Sequence, residues 1–187
     1  MKKRLSFLVV LLTLVGLSSC AVIDPILHRG VSDESLKQRA DEAQEVIVEA
    51  LANQDAELLK TVLSERALES SDLEAGIEYS FELFEGTVID IEKKGSQISG
   101  YYESGQHSKK ISQIYILTTD SGRVYDLYIE LWGQQPFDPD RLGVDKMKIY
   151  DKEADDSDQV SIYELENSGI YNPSWDDAFL ETSEEQS

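Results

Sequence analysis

The spacing of hydrophobic residues in the first half of the chain predicts three helices. The first helix begins after Ser32, which can cap it, and its buried face would carry small and aliphatic side chains: Leu36, Ala40, Ala43, Ile47 and Ala50. A short second helix follows Asp55, another residue type that commonly caps helices. Ser71 and Glu74 form the pattern of a capping box before a third helix, which is expected to end at Gly86.

After Gly86 the hydrophobic residues alternate with polar ones, which is typical of β-strands. Strands are expected at residues 87–93, 97–103, 111–119, 123–132 and 144–150. The connection Asp120-Ser121-Gly122 predicts a hairpin between two of them, because glycine readily adopts a positive φ. Helices followed by an antiparallel sheet predict the α+β class, with a loop at residues 134–142 and another around Gly105 and His107.

The strand at residues 123–132 has two faces of different character. One face would be core: Tyr125, Leu127, Ile129 and Leu131. We expect Leu127 and Ile129 to lie against the helix faces that carry Ile47 and Phe81. The other face would be mixed in character: Val124, Asp126, Tyr128, Glu130 and Trp132.

The first twenty residues have the layout of a secretory signal peptide. A basic start is followed by an apolar run from Leu5 to Val15, which is too short to span a bilayer. The run leads to Leu17-Ser18-Ser19-Cys20, and this tetrapeptide resembles the lipobox of bacterial lipoproteins. The resemblance implies that Cys20 is diacylated, becomes the first residue of the mature protein, and holds it on the outer face of the cytoplasmic membrane. We therefore expect a signal peptide at 1–19, a lipidated tether at 20–32, one domain at 33–176 and an acidic disordered tail at 177–187.

The charge of the chain limits its partners. It has 37 acidic and 17 basic residues, a net charge of −20. Because residues 1–19 carry three basic side chains and no acidic one, the remainder has a charge of −23. This excess argues against nucleic acid as a partner and against electrostatic adhesion to anionic lipid. Cys20 is the only cysteine, so no disulfide within the chain is expected.

Few residues suit catalysis or metal binding. The only histidines are His28, in the tether, and His107, in a polar loop, and no phosphate-binding or zinc motif is present. The acidic run at residues 151–158 offers oxygen ligands for calcium but lacks the glycine and terminal glutamate of an EF-hand. We expect no cofactor and no defined metal site.

The start of the domain resembles the opening of nuclear transport factor 2-like (cystatin-like) domains. The resemblance lies in a long helix, followed by Ala52-Asn53-Gln54-Asp55-Ala56-Glu57-Leu58-Leu59-Lys60 and then Val62-Leu63-Ser64. The chain is more closely similar to an uncharacterised, domain-of-unknown-function family of Gram-positive lipoproteins in that superfamily, through residues 115–132, 143–150 and 169–173. The resemblance implies a cone, in which N-terminal helices lie in the hollow of a curved antiparallel sheet. It implies no activity, because enzymes and binding proteins share this fold.

Such cones often keep a pocket between sheet and helices, and here it could be lined by aromatic side chains. The candidate ligand-binding residues are Tyr115, Asp126, Tyr128, Glu130 and Trp132. Aromatic planes beside carboxylates favour a cationic or sugar-like ligand. Two alternatives remain: these side chains simply fill the sheet, or Asp126 with Tyr128 or Tyr115 imitates the Tyr-Asp pair of superfamily enzymes.

The sequence thus predicts a membrane-anchored, extracytoplasmic protein that binds a small ligand or another envelope protein without catalysing a reaction. The alternatives are a small cone-fold enzyme of hydrolase or isomerase type and an accessory subunit of an envelope transporter.

Overall fold

The computed structural model describes residues 31–152 and 168–172. Several predicted segments lie outside these residues: the signal peptide, Cys20, most of the tether, residues 153–167 (which include most of the acidic run) and the C-terminal tail. The described chain is a mixed α+β domain in which N-terminal helices precede a curved, unclosed sheet.

Short polar side chains cap three of the four helices among the described residues. These helices are α1 Asp33–Asn53, α2 Ala56–Lys60, α3 Glu65–Leu68 and α4 Leu73–Leu83. Ser32 and Asp55 accept hydrogen bonds from backbone N–H groups of α1 and α2, as the sequence predicts. Ser64 caps α3, a single turn that the hydrophobic pattern did not indicate.

The capping box predicted for α4 is wrong. Asp72, not Ser71, is the N-cap residue, and its side chain makes no capping hydrogen bond. The Asp72 carboxylate instead accepts hydrogen bonds from the side chains of Ser70 and Asn172. The Asp72 side chain therefore bonds to Ser70, two residues before it, and to the distant Asn172 instead of capping the helix.

Five strands form the sheet in chain order: β1 Val88–Glu103, β2 Gln106–Thr119, β3 Val124–Gln134, β4 Gly143–Asp151 and β5 Gly169–Ile170. The first four pair antiparallel, and β5 pairs parallel to β4. Gly122 has a φ of +86° in the β2–β3 turn, which confirms the predicted hairpin. A 3-10 turn, Pro139–Arg141, lies in the β3–β4 connection.

The first hairpin is longer than predicted. The two strands expected at 87–93 and 97–103 are one strand, β1, with a register shift between Lys93 and Gly95. The loop expected around His107 is a tight turn at Ser104 and Gly105, and His107 belongs to β2. β1 is an edge strand, and most of its side chains are exposed.

The core lies between the helices and one face of the sheet. Ile47, Leu127 and Ile129 are fully buried there, as predicted, whereas Phe81 is only half-buried. The opposite face of β3 carries the predicted mixture of polar and aromatic side chains, but it is buried as well. Asp126, Tyr128, Glu130 and Trp132 are 1%, 6%, 5% and 5% exposed.

Candidate functional site

The structure does not bring the five predicted ligand-binding residues together. Tyr115, on β2, donates a hydrogen bond to Asp41 of α1, so it faces the helices. Asp126, Tyr128, Glu130 and Trp132 lie on the opposite face of the sheet, because Leu127, between Asp126 and Tyr128, shares the face of its register partner Tyr115.

Asp126 is surrounded by donors from neighbouring strands. Its Oδ2 accepts hydrogen bonds from the Tyr150 hydroxyl at 3.0 Å and from Lys94 Nζ at 3.1 Å. Lys152 Nζ lies 3.5 Å from Oδ1. Burial and the hydrogen bond to Asp126 raise the pKa of the Tyr150 hydroxyl. The negative charge of the buried Asp126 carboxylate is therefore balanced by the two nearby lysines.

Glu130 is compensated in the same way. Its carboxylate forms an ion pair with Lys110 of β2, and its register partner on β4 is Lys146. Burial lowers the pKa of the Lys146 ammonium group, and the charge of Glu130 opposes that shift.

Trp132 is held between aromatic and cationic groups. The Tyr101 ring stacks on it at a centroid distance of 6.4 Å, while Lys110 Nζ and the Arg141 guanidinium lie 5.3 and 5.7 Å from its ring. Its indole Nε1 is buried and finds no hydrogen-bond acceptor in the part of the chain that the structure describes. The cationic contacts that were expected from a ligand are thus supplied by the chain itself. A ligand-binding role for this face stays a prediction.

The helix-facing side of the sheet holds a separate polar cluster around Tyr115. The hydroxyl of Tyr115 lies 2.8 Å from Asp41 Oδ1 and also contacts the side-chain oxygen of Gln113, which is fully buried. Burial and the hydrogen bond to Asp41 raise the pKa of Tyr115. The superfamily resemblance suggested a Tyr-Asp pair of Tyr115 with Asp126. The structure instead pairs Tyr115 with Asp41, which follows the buried Ala40 in α1.

A polar cleft is lined in part by Arg141, whose guanidinium also lies beside Trp132. It has a volume of about 510 Å³ and lies where α3, the start of α4, the 3-10 turn and the residue before β5 meet. Its lining is entirely polar: Arg66, Glu69, Ser70, Ser71, Asp72, Arg141 and Ser168. We refer to it as the arginine cleft.

Both arginines of the cleft are held in place by acidic residues. Arg66 forms an ion pair of 3.0 Å with Asp138, and Arg141 Nε lies 3.4 Å from the fully buried Asp145. Arg141 also donates a hydrogen bond of 3.5 Å to Ser168. These partners hold the two arginine side chains in place, and Glu69 and Asp72 also line the cleft.

Sequence reasoning missed the arginine cleft because its residues come from three separate segments: residues 66–72, Arg141 and Ser168. Two polar segments were visible in the sequence: Ser70-Ser71-Asp72, before a helix, and Pro139-Asp140-Arg141, in a loop. Nothing in the hydrophobic pattern indicates that these two segments meet.

The described residues contain neither a metal-binding group nor a membrane-spanning helix. Within residues 31–152 and 168–172, no group of three His, Cys, Asp or Glu side chains is placed to hold a metal ion. No helix in the same ranges is long and apolar enough to cross a membrane. The part of the acidic run beyond Lys152 lies outside these ranges.

The fold and the cleft define a small α+β domain with an open five-stranded sheet and a polar surface cavity. The chain belongs to the family described as "Domain of unknown function (DUF5104)", whose model matches residues 46–165, more than half of the chain. This match agrees with the uncharacterised domain family that the sequence resembled. A search of the curated proteins found no match to this chain.

Proposed function

We propose that the protein is a lipid-anchored, extracytoplasmic binding protein built on a nuclear transport factor 2-like cone, and that its ligand occupies the arginine cleft. The order of helices before a curved antiparallel sheet supports the cone. The Leu17-Ser18-Ser19-Cys20 segment supports the anchor. The cleft itself carries the proposal of binding.

The lining of the cleft favours a small dipolar ligand. Arg66 and Arg141 can donate charge-assisted hydrogen bonds to a phosphate or carboxylate, and the start of α4 adds the positive end of a helix dipole. Glu69 and Asp72 can accept from an ammonium or hydroxyl group. A ligand with only one charge would be attracted by one pair and repelled by the other.

Binding suits this cleft better than catalysis. Glu69 is exposed and Asp72 is only half-buried, whereas groups that transfer protons in enzymes are usually withdrawn from water. The cleft also lies outside the helix-facing side of the sheet, where a cone enzyme would work. An enzyme and a transporter subunit remain the alternative predictions.

Titration calorimetry tests the proposal with phosphoethanolamine, and with inorganic phosphate and ethanolamine as single-charge controls. We expect phosphoethanolamine to bind more tightly than either control. Arg66→Gln should weaken binding at least ~10-fold, because a hydrogen bond to a charged group contributes about 1.5–3 kcal/mol. Arg123→Gln is the matched control, since Arg123 is an ion-paired arginine of similar exposure remote from the cleft. Equal binding of all three compounds, or equal losses in both variants, would count against a dipolar ligand in the cleft.

A further inference from the structure

Exposed hydrophobic side chains concentrate at one end of the sheet. Among the described residues, seven large hydrophobic side chains are exposed: Leu68, Ile89, Ile91, Tyr101, Tyr102, Phe137 and Leu142. Five of these belong to the end of β1, the β3–β4 connection and α3. Only Ile89 and Ile91, near the start of β1, lie elsewhere.

The antiparallel register shows that the four of these residues on β1 and in the β3–β4 connection share an end. β1 ends where β2 begins, and Lys109 of β2 pairs with Gln134, the last residue of β3. Three further residue pairs carry the β1–β2 hairpin about 10 Å beyond this point, at ~3.4 Å per residue. We call this part of the sheet the Tyr102 end.

Contacts connect the separate segments of the Tyr102 end. The Tyr101 ring stacks on Trp132, and Trp132 forms a β-bridge with Leu142. The ion pair between Arg66 and Asp138 joins α3, which carries Leu68, to the connection that carries Phe137. The segments that carry the exposed side chains are therefore held together by contacts with one another.

The chain enters the domain at the same end. Asp33, the first residue of α1, forms an ion pair with Lys109. Lys109 pairs with Gln134, and Arg39 donates a hydrogen bond to the carbonyl of Gly133, just before it. The start of α1 is thus fixed beside the exposed tyrosine, phenylalanine and leucine side chains.

We propose that the Tyr102 end rests on the lipid bilayer, with Tyr101, Tyr102, Phe137 and Leu142 in its interfacial region. Tyrosine suits this region because its ring is apolar and its hydroxyl can remain hydrated. The twelve residues from Ala21 to Ser32 span at most ~40 Å, which leaves the end free to reach the surface on which Cys20 would be anchored. The inference rests on the proposed lipid anchor only for the proximity of the bilayer.

The charges at this end define the type of lipid. Glu103 and Asp140 lie among the exposed hydrophobic residues, the charge of Asp138 is paired with that of Arg66, and the mature chain has a charge of −23. Anionic headgroups would repel such a surface. Apolar contact with a zwitterionic bilayer therefore holds the end in place.

A probe that senses depth in the bilayer tests the orientation. The full mature chain, acylated at Cys20, is reconstituted in phosphatidylcholine vesicles after Tyr102→Cys and labelling with an environment-sensitive fluorophore. We expect a blue shift and quenching by nitroxide-labelled lipid. Ile89→Cys with the same label is the matched control, because Ile89 is 67% exposed on the same strand about 40 Å away. Equal quenching at both positions, or none at position 102, would overturn the proposal.

A second measurement does not depend on the lipid anchor. The mature chain with Cys20→Ala is mixed with sucrose-loaded phosphatidylcholine vesicles and sedimented. Tyr102→Ser with Phe137→Ser should lower the partition coefficient at least fivefold, while Ile89→Ser with Ile91→Ser should change it by less than twofold. Mass spectrometry of the wild-type Cys20 reports separately on the anchor, so the two ideas can fail independently.

Two results of this experiment would refute the bilayer as the occupant of the Tyr102 end. One is the absence of partition in the parent Cys20→Ala chain. The other is self-association without vesicles that Tyr102→Ser with Phe137→Ser abolishes, because the surface would then be a protein interface.

Discussion

At the scale of single residues, Tyr115 links burial to a measurable pH dependence. Burial and Asp41 raise its pKa in the folded protein, whereas the unfolded chain ionises near pH 10. The folded state therefore keeps a proton that the unfolded state loses, and stability falls above pH ~10 by up to about 1.4 kcal/mol per pH unit for this residue.

Tyr115→Phe should remove this contribution. The free energies of unfolding of the variant and the wild type should run parallel between pH 7 and 9, offset by the lost hydrogen bonds. Above pH 10 the curve of the variant should be less steep, and the two curves should converge. Urea unfolding at a series of pH values measures both. Parallel curves through pH 11 would show that Tyr115 ionises alike in both states.

The neighbourhood of each charged residue could not be read from the sequence. Alternation correctly placed Asp126 and Glu130 on the face of β3 opposite Leu127, but charged residues are usually exposed, so the sequence did not indicate their burial. Their partners Lys94 and Lys110 lie on β1 and β2, 32 and 20 residues away. Strand register brings these groups together, and register depends on the whole sheet.

At the scale of elements, the contact between α4 and β5 depends on Gly76. A Cβ atom at this position would collide with the backbone and side chain of Ile170. Gly76→Ala should therefore reduce the free energy of unfolding by ~1–3 kcal/mol, the usual cost of overpacking.

Gly95→Ala is the control for Gly76→Ala. A Cβ atom at Gly95 meets nothing within 4 Å, so a change within ~0.5 kcal/mol is expected. Urea denaturation of both variants gives the comparison. Similar changes in the two variants would mean that α4 does not need close approach to β5.

Several features with local signals were predicted correctly, although the capping box at Ser71 and Glu74 was not. The caps Ser32 and Asp55 and the glycine turn at Gly122 depend on neighbours within a few residues, and all three are confirmed. β1 was divided because Lys93, Lys94 and Gly95 interrupt its alternation, where the structure has a register shift. β5 was not predicted as a strand, because its two residues are defined only by parallel pairing with β4.

At the scale of the whole molecule, the α+β class followed from the order of elements, but the cleft and the Tyr102 end did not. Both are formed by segments that meet only after the sheet has assembled. They also adjoin one another, since Arg66 on the cleft pairs with Asp138 in the connection that bears Phe137. Together the two proposals place the ligand cleft close to the bilayer surface.

The last prediction concerns the attachment of the whole chain. Leu17-Ser18-Ser19-Cys20 follows the apolar run from Leu5 to Val15, and two acyl chains on Cys20 would anchor the protein stably where one would hold it weakly. Cys20→Ala should therefore move most of the protein from the membrane fraction to the soluble fraction, because contacts at the Tyr102 end alone are weak. Ser18→Ala, which keeps the cysteine and the small neighbouring residues, is the control and should remain in the membrane. Detergent-phase partition followed by immunoblotting measures the distribution, and a Cys20→Ala chain that stays as firmly bound as the parent would show that another part of the chain holds it.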